Sequence, residues 1–221
     1  MTIQAVQLQS AEEKINRLLV TMGQQVDEAV GRAITALLDS NSHIVSGIME
    51  NAVAIQELER TIDENVLAAL EHGELSSVEL RRVKTAVSIG KDLARLAKLA
   101  ANLGRKVTHV GKHQDHEDVS SLQPLAIAVS HLCRQALRAL TRQDALLART
   151  AAAGGAKVDA YRDYVLRGLK QQGLSAADGQ ELHLIFASRC LEQIADHTGH
   201  LAENVLAFLA GDEGPEERLA S

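Results

Sequence analysis

From Ile15 the apolar residues fall at Ile15, Leu18, Leu19, Met22, Val26, Ala29, Val30, Ala33, Ile34 and Leu37, in steps of three, four and one. That spacing puts them on one face of a 3.6-residue turn and predicts a long helix. The cluster Asp39-Ser40-Asn41-Ser42 interrupts the pattern and offers capping side chains for a second helix, which Ile44, Ile48, Ile55, Leu58, Ile62 and Val66 carry from about His43 to Glu71. Gly73 is expected to end it. Ser76 and Glu79 have capping-box spacing, each able to satisfy an orphan N–H of the other, and they open a third helix through Val83, Val87, Leu93, Leu96, Ala100, Leu103 and Val107.

A polar, non-periodic stretch, residues 111–120, follows at mid-chain and predicts a linker. Beyond it the pattern restarts. Shifting the first half by 103 residues lays Leu19 on Leu122, Met22 on Leu125, Ala29 on Leu132, Val30 on Cys133, Ala33 on Ala136 and Leu37 on Leu140, while the cap at Asn41 meets Asp144. The offset then shortens, pairing Leu75-Ser76 with Leu174-Ser175 and Leu96-Ala97 with Ile194-Ala195, as a changed loop between the second and third helices of the unit would require. The reading is a tandem duplication: an all-α protein of two three-helix bundle repeats, six long helices in all. Residues 1–110 form the first repeat, 111–120 the linker, 121–211 the second repeat and 212–221 a flexible tail. Gly154-Gly155 falls inside the fifth helix, where each glycine costs about 1 kcal/mol relative to alanine, so a kink or break is expected there.

Composition narrows the function. Only four residues are aromatic and both prolines, Pro124 and Pro215, lie at the margins of long segments, which suits helices and not strands. Lys and Arg total 23 against 29 Asp and Glu, a net charge of −6, and no basic block accompanies stacking aromatics, so nucleic-acid binding lacks its usual footprint. Cys133 and Cys190 have no CxxC spacing and sit in apolar helical surroundings, which predicts reduced thiols in a cytosolic protein. Neither a signal peptide nor an apolar run long enough to span a bilayer is evident, so membrane contact is expected only through partners. No Walker loop or dinucleotide fingerprint occurs, and no orienting group or oxyanion loop accompanies Cys190 with His183 and His197.

Leu18-Leu19-Val20-Thr21-Met22-Gly23-Gln24-Gln25-Val26-Asp27-Glu28-Ala29 resembles the opening helix of the PhoU family of phosphate-transport regulators. Ile55-Gln56-Glu57-Leu58-Glu59-Arg60-Thr61-Ile62-Asp63-Glu64 resembles its second helix, and Leu191-Glu192-Gln193-Ile194-Ala195-Asp196 its Glu-Arg-Ile-Gly-Asp element. The resemblance runs from about residue 10 to 210, and its order and spacing carry it. It implies a cytoplasmic regulator with no enzymatic activity, one that restrains high-affinity phosphate uptake by linking the ATPase subunit of an ABC phosphate importer to a sensor histidine kinase. Many members also carry metal clusters on Asp-x-x-x-Asp and Glu/Asp-x-x-x-Asp pairs of the second and third helix of each repeat. Carboxylates at i and i+4 share a helix face, repel one another, and suit a hard or borderline cation.

Transferred residue by residue, these pairs fall on Ala52 and Gln56, then Ala94 and Lys98, in the first repeat, so that site is expected to be lost. In the second repeat they fall on Gly155 and Asp159, then on Glu192 and Asp196. On the sixth helix Arg189, Glu192, Asp196, His200 and Glu203 form an acidic stripe whose counterpart on the third helix is Lys91, Ala94, Lys98, Asn102 and Arg105. The resemblance therefore implies one site for Fe, Zn or another divalent metal, with Asp159, Glu192 and Asp196 as ligands, to which the stripe adds His200, an imidazole that such metals commonly take. Lys98 would replace the missing charge in the first repeat, paired with a carboxylate such as Asp63. A solvated acidic face is the plainer reading of the same stripe. The linker histidines His109, His113 and His116 offer a weaker cation surface, since a flexible segment binds metal poorly.

Two other functions compete: a helical adaptor of the same kind serving a different ion transporter, and a carboxylate-metal helical-bundle protein. Di-iron proteins of the ferritin kind use Glu-x-x-His pairs, and no Glu precedes any of the nine histidines by three residues. Long helices with few aromatics often associate, which leaves a homodimer open.

Overall fold

A computed structural model of the chain describes residues 3–39, 45–71, 75–110, 120–171 and 180–210. Among these the helices are α1 (Ile3–Leu38), α2 (Val45–Glu71), α3 (Ser77–Val110), α4 (Gln123–Arg142), α5 (Ala145–Ala152), α6 (Gly155–Gln171) and α7 (Gln180–Ala210). The all-α expectation and the two-bundle arrangement hold. Residues 111–119 of the linker, the tail, Gly73, the capping residues 40–42 and the Leu174-Ser175 register marker lie outside the described residues.

The helix ends that are described follow from local chemistry. Ser76 N–H donates to Glu79 Oε2 at 2.7 Å and Glu79 N–H to Ser76 Oγ at 3.3 Å, so the capping box forms as the spacing predicts. Ser76→Ala should cost about 1 kcal/mol and lower Tm by about 3 °C, measurable by thermal denaturation. Asp144 caps α5, its Oδ1 accepting from Leu147 N–H at 2.9 Å, and Gln143 just before it adopts the left-handed conformation, φ 54°, that ends α4. Pro124 occupies the first turn of α4, where a missing N–H costs nothing.

The predicted fifth helix is two helices. α5 stops at Ala152 and α6 starts at Gly155, with the break at Gly154. A β-carbon on Gly154 would stand 2.4 Å from Leu132 Cδ1 and 3.2 Å from the Ala151 carbonyl, so any larger residue there would require the Leu132 side chain to move. Beside the break, α4, α5 and α6 line an open groove of about 990 Å³, with Ile127, Leu146 and Tyr161 exposed along it.

α2 packs on α1 and α3; α5 and α6 pack on α4 and α7; and the two bundles meet where α3 lies against α7 and α1 against α4. α3 is the pivot of this arrangement. Leu93, Ala94, Leu96, Ala97, Leu99, Ala100, Ala101 and Leu103 are all buried, so over these residues most of its circumference faces protein. Polar links tie the elements at the edges: Asn51 Nδ2 donates to the Gln25 carbonyl at 3.0 Å between α2 and α1, and Arg82 of α3 stacks 5.5 Å from the centroid of Phe208 on α7.

Candidate metal-binding region on the last helix

The sequence-predicted residues Asp159, Glu192, Asp196 and His200 converge. All four line one cavity of about 340 Å³ between α6 and α7, together with Gly155, Gly199 and Arg162. α6 delivers Asp159 and Arg162 one turn apart, and α7 delivers Glu192, Asp196 and His200 at successive four-residue steps along one stripe.

Arg162 decides the electrostatics. Its Nη1 lies 3.0 Å from Asp159 Oδ1 and 3.0 Å from Glu192 Oε1, and its Nη2 lies 3.1 Å from Asp163 Oδ1. The hydrogen bond to Asp163, with those to Glu192 and the charge of Asp159, pushes its pKa further above the ordinary arginine range, while desolvation opposes them. A guanidinium thus stands between two of the carboxylates that the family pattern would give to a metal. One cation faces three carboxylates, and as arranged Asp159 and Glu192 are both paired to the arginine. Sequence reading missed this partner, although the Asp159-x-x-Arg162 spacing is itself an ion-pair signal.

The first-repeat positions are of different character. Ala52 and Ala94 are buried and Gln56 and Lys98 exposed. The carboxylate drawn to this face is Glu59: burial pushes its pKa up, Lys98 and Lys91 pull it down, and Asp63 adds to the upward push. Lysine charge therefore supports Glu59 here, with Asp63 as its acidic neighbour.

A second cluster lies where α3 meets α7. Asp92, His197 and His200 present ligand-type atoms that all fall within 4.8 Å of one another, the one such group among the described residues. Asp92 Oδ2 accepts from Asn204 Nδ2 at 2.8 Å, and Oδ1 lies 3.8 Å from His197 Nδ1. The histidine rings meet edge to face, 5.8 Å between centroids. Burial pushes the Asp92 pKa up against the opposing pull of Asn204, His197 and His200. Burial likewise pushes His197 down, reinforced by Arg95 and countered by Asp92. No stripe drawn on α7 alone could have found Asp92, which arrives from the other repeat.

Neither cysteine is in a disulfide; Cys133 is buried and Cys190 half-buried. Burial pushes the Cys133 thiol up to about 12, despite the Thr198 hydroxyl beside it. Cys133 should resist alkylation at pH 8 in the native protein and react only on unfolding, a difference that peptide mass spectrometry reads directly.

The PhoU domain model matches the chain twice, over residues 19–107 and 125–205. A Pseudomonas aeruginosa protein described as a phosphate-specific transport system accessory protein PhoU homolog is 28% identical over 207 residues, covering 91% of this chain and 84% of its own. The Escherichia coli accessory protein PhoU is 23% identical over 203 residues, covering 91% and 84%. Among solved structures, the crystal structure of PhoU from Pseudomonas aeruginosa superposes with a TM-score of 0.83 at 27% identity, over 92% of this chain and 99% of that one. That of the phosphate transport system regulatory protein PhoU from Streptococcus pneumoniae shares the fold, with a TM-score of 0.76 at 20% identity over 93% and 98%.

Proposed function

Because the chain belongs to the PhoU family, with a regulatory and non-catalytic role in phosphate transport, we propose that it restrains phosphate uptake and starvation signalling from the cytoplasm by linking the ATPase subunit of an ABC phosphate importer to a sensor histidine kinase. The observation that carries this reading is the match of both repeats in order, over 84% of the curated relative and 99% of the solved structure from Pseudomonas aeruginosa. Among the described residues no helix is long and apolar enough to cross a membrane, in keeping with contact to the importer through a partner subunit.

In this reading the first-repeat metal site is lost, its positions given to Ala52, Gln56, Ala94 and Lys98. A cation shared by Asp159 and Glu192 would have to displace Arg162, which leaves His200 and Asp196 as the members of the predicted set that are not held by the guanidinium.

Co-purification from cells held at high and at low phosphate tests the assignment. The importer ATPase and a histidine kinase are expected to be recovered with the tagged protein. Recovery of a different ion transporter in their place would overturn the phosphate assignment in favour of an adaptor with another client, a divergence that the altered first-repeat positions would suit.

A further inference from the structure

We propose that Asp92, His197 and His200 form a binding site for one divalent transition-metal ion of the zinc class, clamping the first repeat to the second. The site shares His200 with the acidic cavity but takes its other two donors, Asp92 and His197, from outside the family's carboxylate pairs, and the inference stands apart from the choice of phosphate partner.

Its geometry has three parts. The donors sit on the two helices that hold the repeats together, two histidines at i and i+3 on α7 and an aspartate on α3. They fall within 4.8 Å of one another, and ligands at about 2.0–2.1 Å from a tetrahedral ion are separated by a little over 3 Å, so small side-chain rotations close the set. Second, Asp92 is already oriented: its side chain is only 15% exposed, and Asn204 fixes Oδ2, leaving Oδ1 turned toward His197. A partner that holds the non-ligating oxygen is what a metal-binding carboxylate uses to keep its aim. Third, His197 Nδ1 is buried and has no hydrogen-bond partner, 3.8 Å from Asp92 being too far for one. An ion between a buried ring nitrogen and a carboxylate that stand farther apart than a hydrogen bond would satisfy both.

The donor set selects the ion. Two imidazoles and one carboxylate suit Zn²⁺ and its borderline neighbours, whereas Ca²⁺ and Mg²⁺ prefer all-oxygen sites. Three protein ligands leave a fourth position, on the exposed side of His200, for water or an anionic group. The site is not a product of the duplication, because the residues matching Asp92, His197 and His200 in the other repeat are Cys190, Leu99 and Asn102.

The test uses the full chain, stripped of metal by a chelator and titrated calorimetrically with Zn²⁺, with thermal denaturation in parallel. The expected result is one equivalent bound, a rise in Tm on loading, and at least a tenfold loss of affinity in each of His197→Ala, His200→Asn and Asp92→Asn. Glu192→Gln, in the acidic cavity, should bind as the unaltered protein does. His200 is exposed, so its variant keeps the assay meaningful should the half-buried positions disturb folding. Absence of Zn²⁺ binding, or binding lost in Glu192→Gln and kept in His200→Asn, would overturn the proposal.

Discussion

Leu96→Ala is expected to remove about 3 kcal/mol of stability, because Leu96 is fully buried on α3 and the methyl groups it loses leave a cavity the packed neighbours can only partly fill. For a domain of this size that corresponds to a fall in Tm of roughly 6–12 °C. The effect should be global, since α3 packs against α1, α2 and α7 and a loosened α3 weakens both bundles. Lys98→Ala, half a turn away but on the exposed face, should stay within about 0.5 kcal/mol of the unaltered protein. Equilibrium denaturation of the two variants checks the contrast, and equal effects would mean that α3 is not the shared core helix.

Arg162→Ala should turn the acidic cavity from an ion-pair cluster into a cation site. The guanidinium stands 3.0 Å from both Asp159 and Glu192, and its side chain is 27% exposed against 32% for Glu192. Those pairs are partly screened by solvent, so their loss should cost no more than about 1 kcal/mol. The larger consequence is chemical: without the cation, Asp159 and Glu192 face each other across the cavity with Asp196 and His200 alongside. Mn²⁺ titration should then give at least a tenfold gain in affinity at this cavity, and the variant's Tm should rise with Mn²⁺ more steeply than that of the unaltered protein. Identical Mn²⁺ responses would show that Arg162 does not stand in for an ion.

The sequence pattern carried most of the fold because helices of this kind advertise themselves twice, in apolar period and in end chemistry. Ser76 and Glu79 fulfil their capping roles, and Leu19, Met22 and Val26 are buried where the period puts them. The Gly154 break was legible as a weakness, but the closeness of Gly154 to Leu132 of α4 is a tertiary contact and leaves no trace in local spacing. The candidate sites divide in the same way. Glu192, Asp196 and His200 lie on one helix and their stripe could be read along it, and the structure gathers them with Asp159 around one cavity. Arg162 was visible one turn from Asp159, but a search for repeated carboxylates passes over the cation between them. Asp92 was beyond reach, because its partners His197 and Asn204 belong to the other repeat and meet it only when α3 and α7 pack.

As a member of the PhoU family, this two-bundle protein has a role in regulating phosphate transport. The measurement that bears on it most directly is the output of a phosphate-starvation promoter in cells lacking the protein and grown in phosphate-rich medium. The promoter is expected to stay on, and the intact chain, supplied again, to switch it off. A promoter that remains off in the deletion strain would contradict that role.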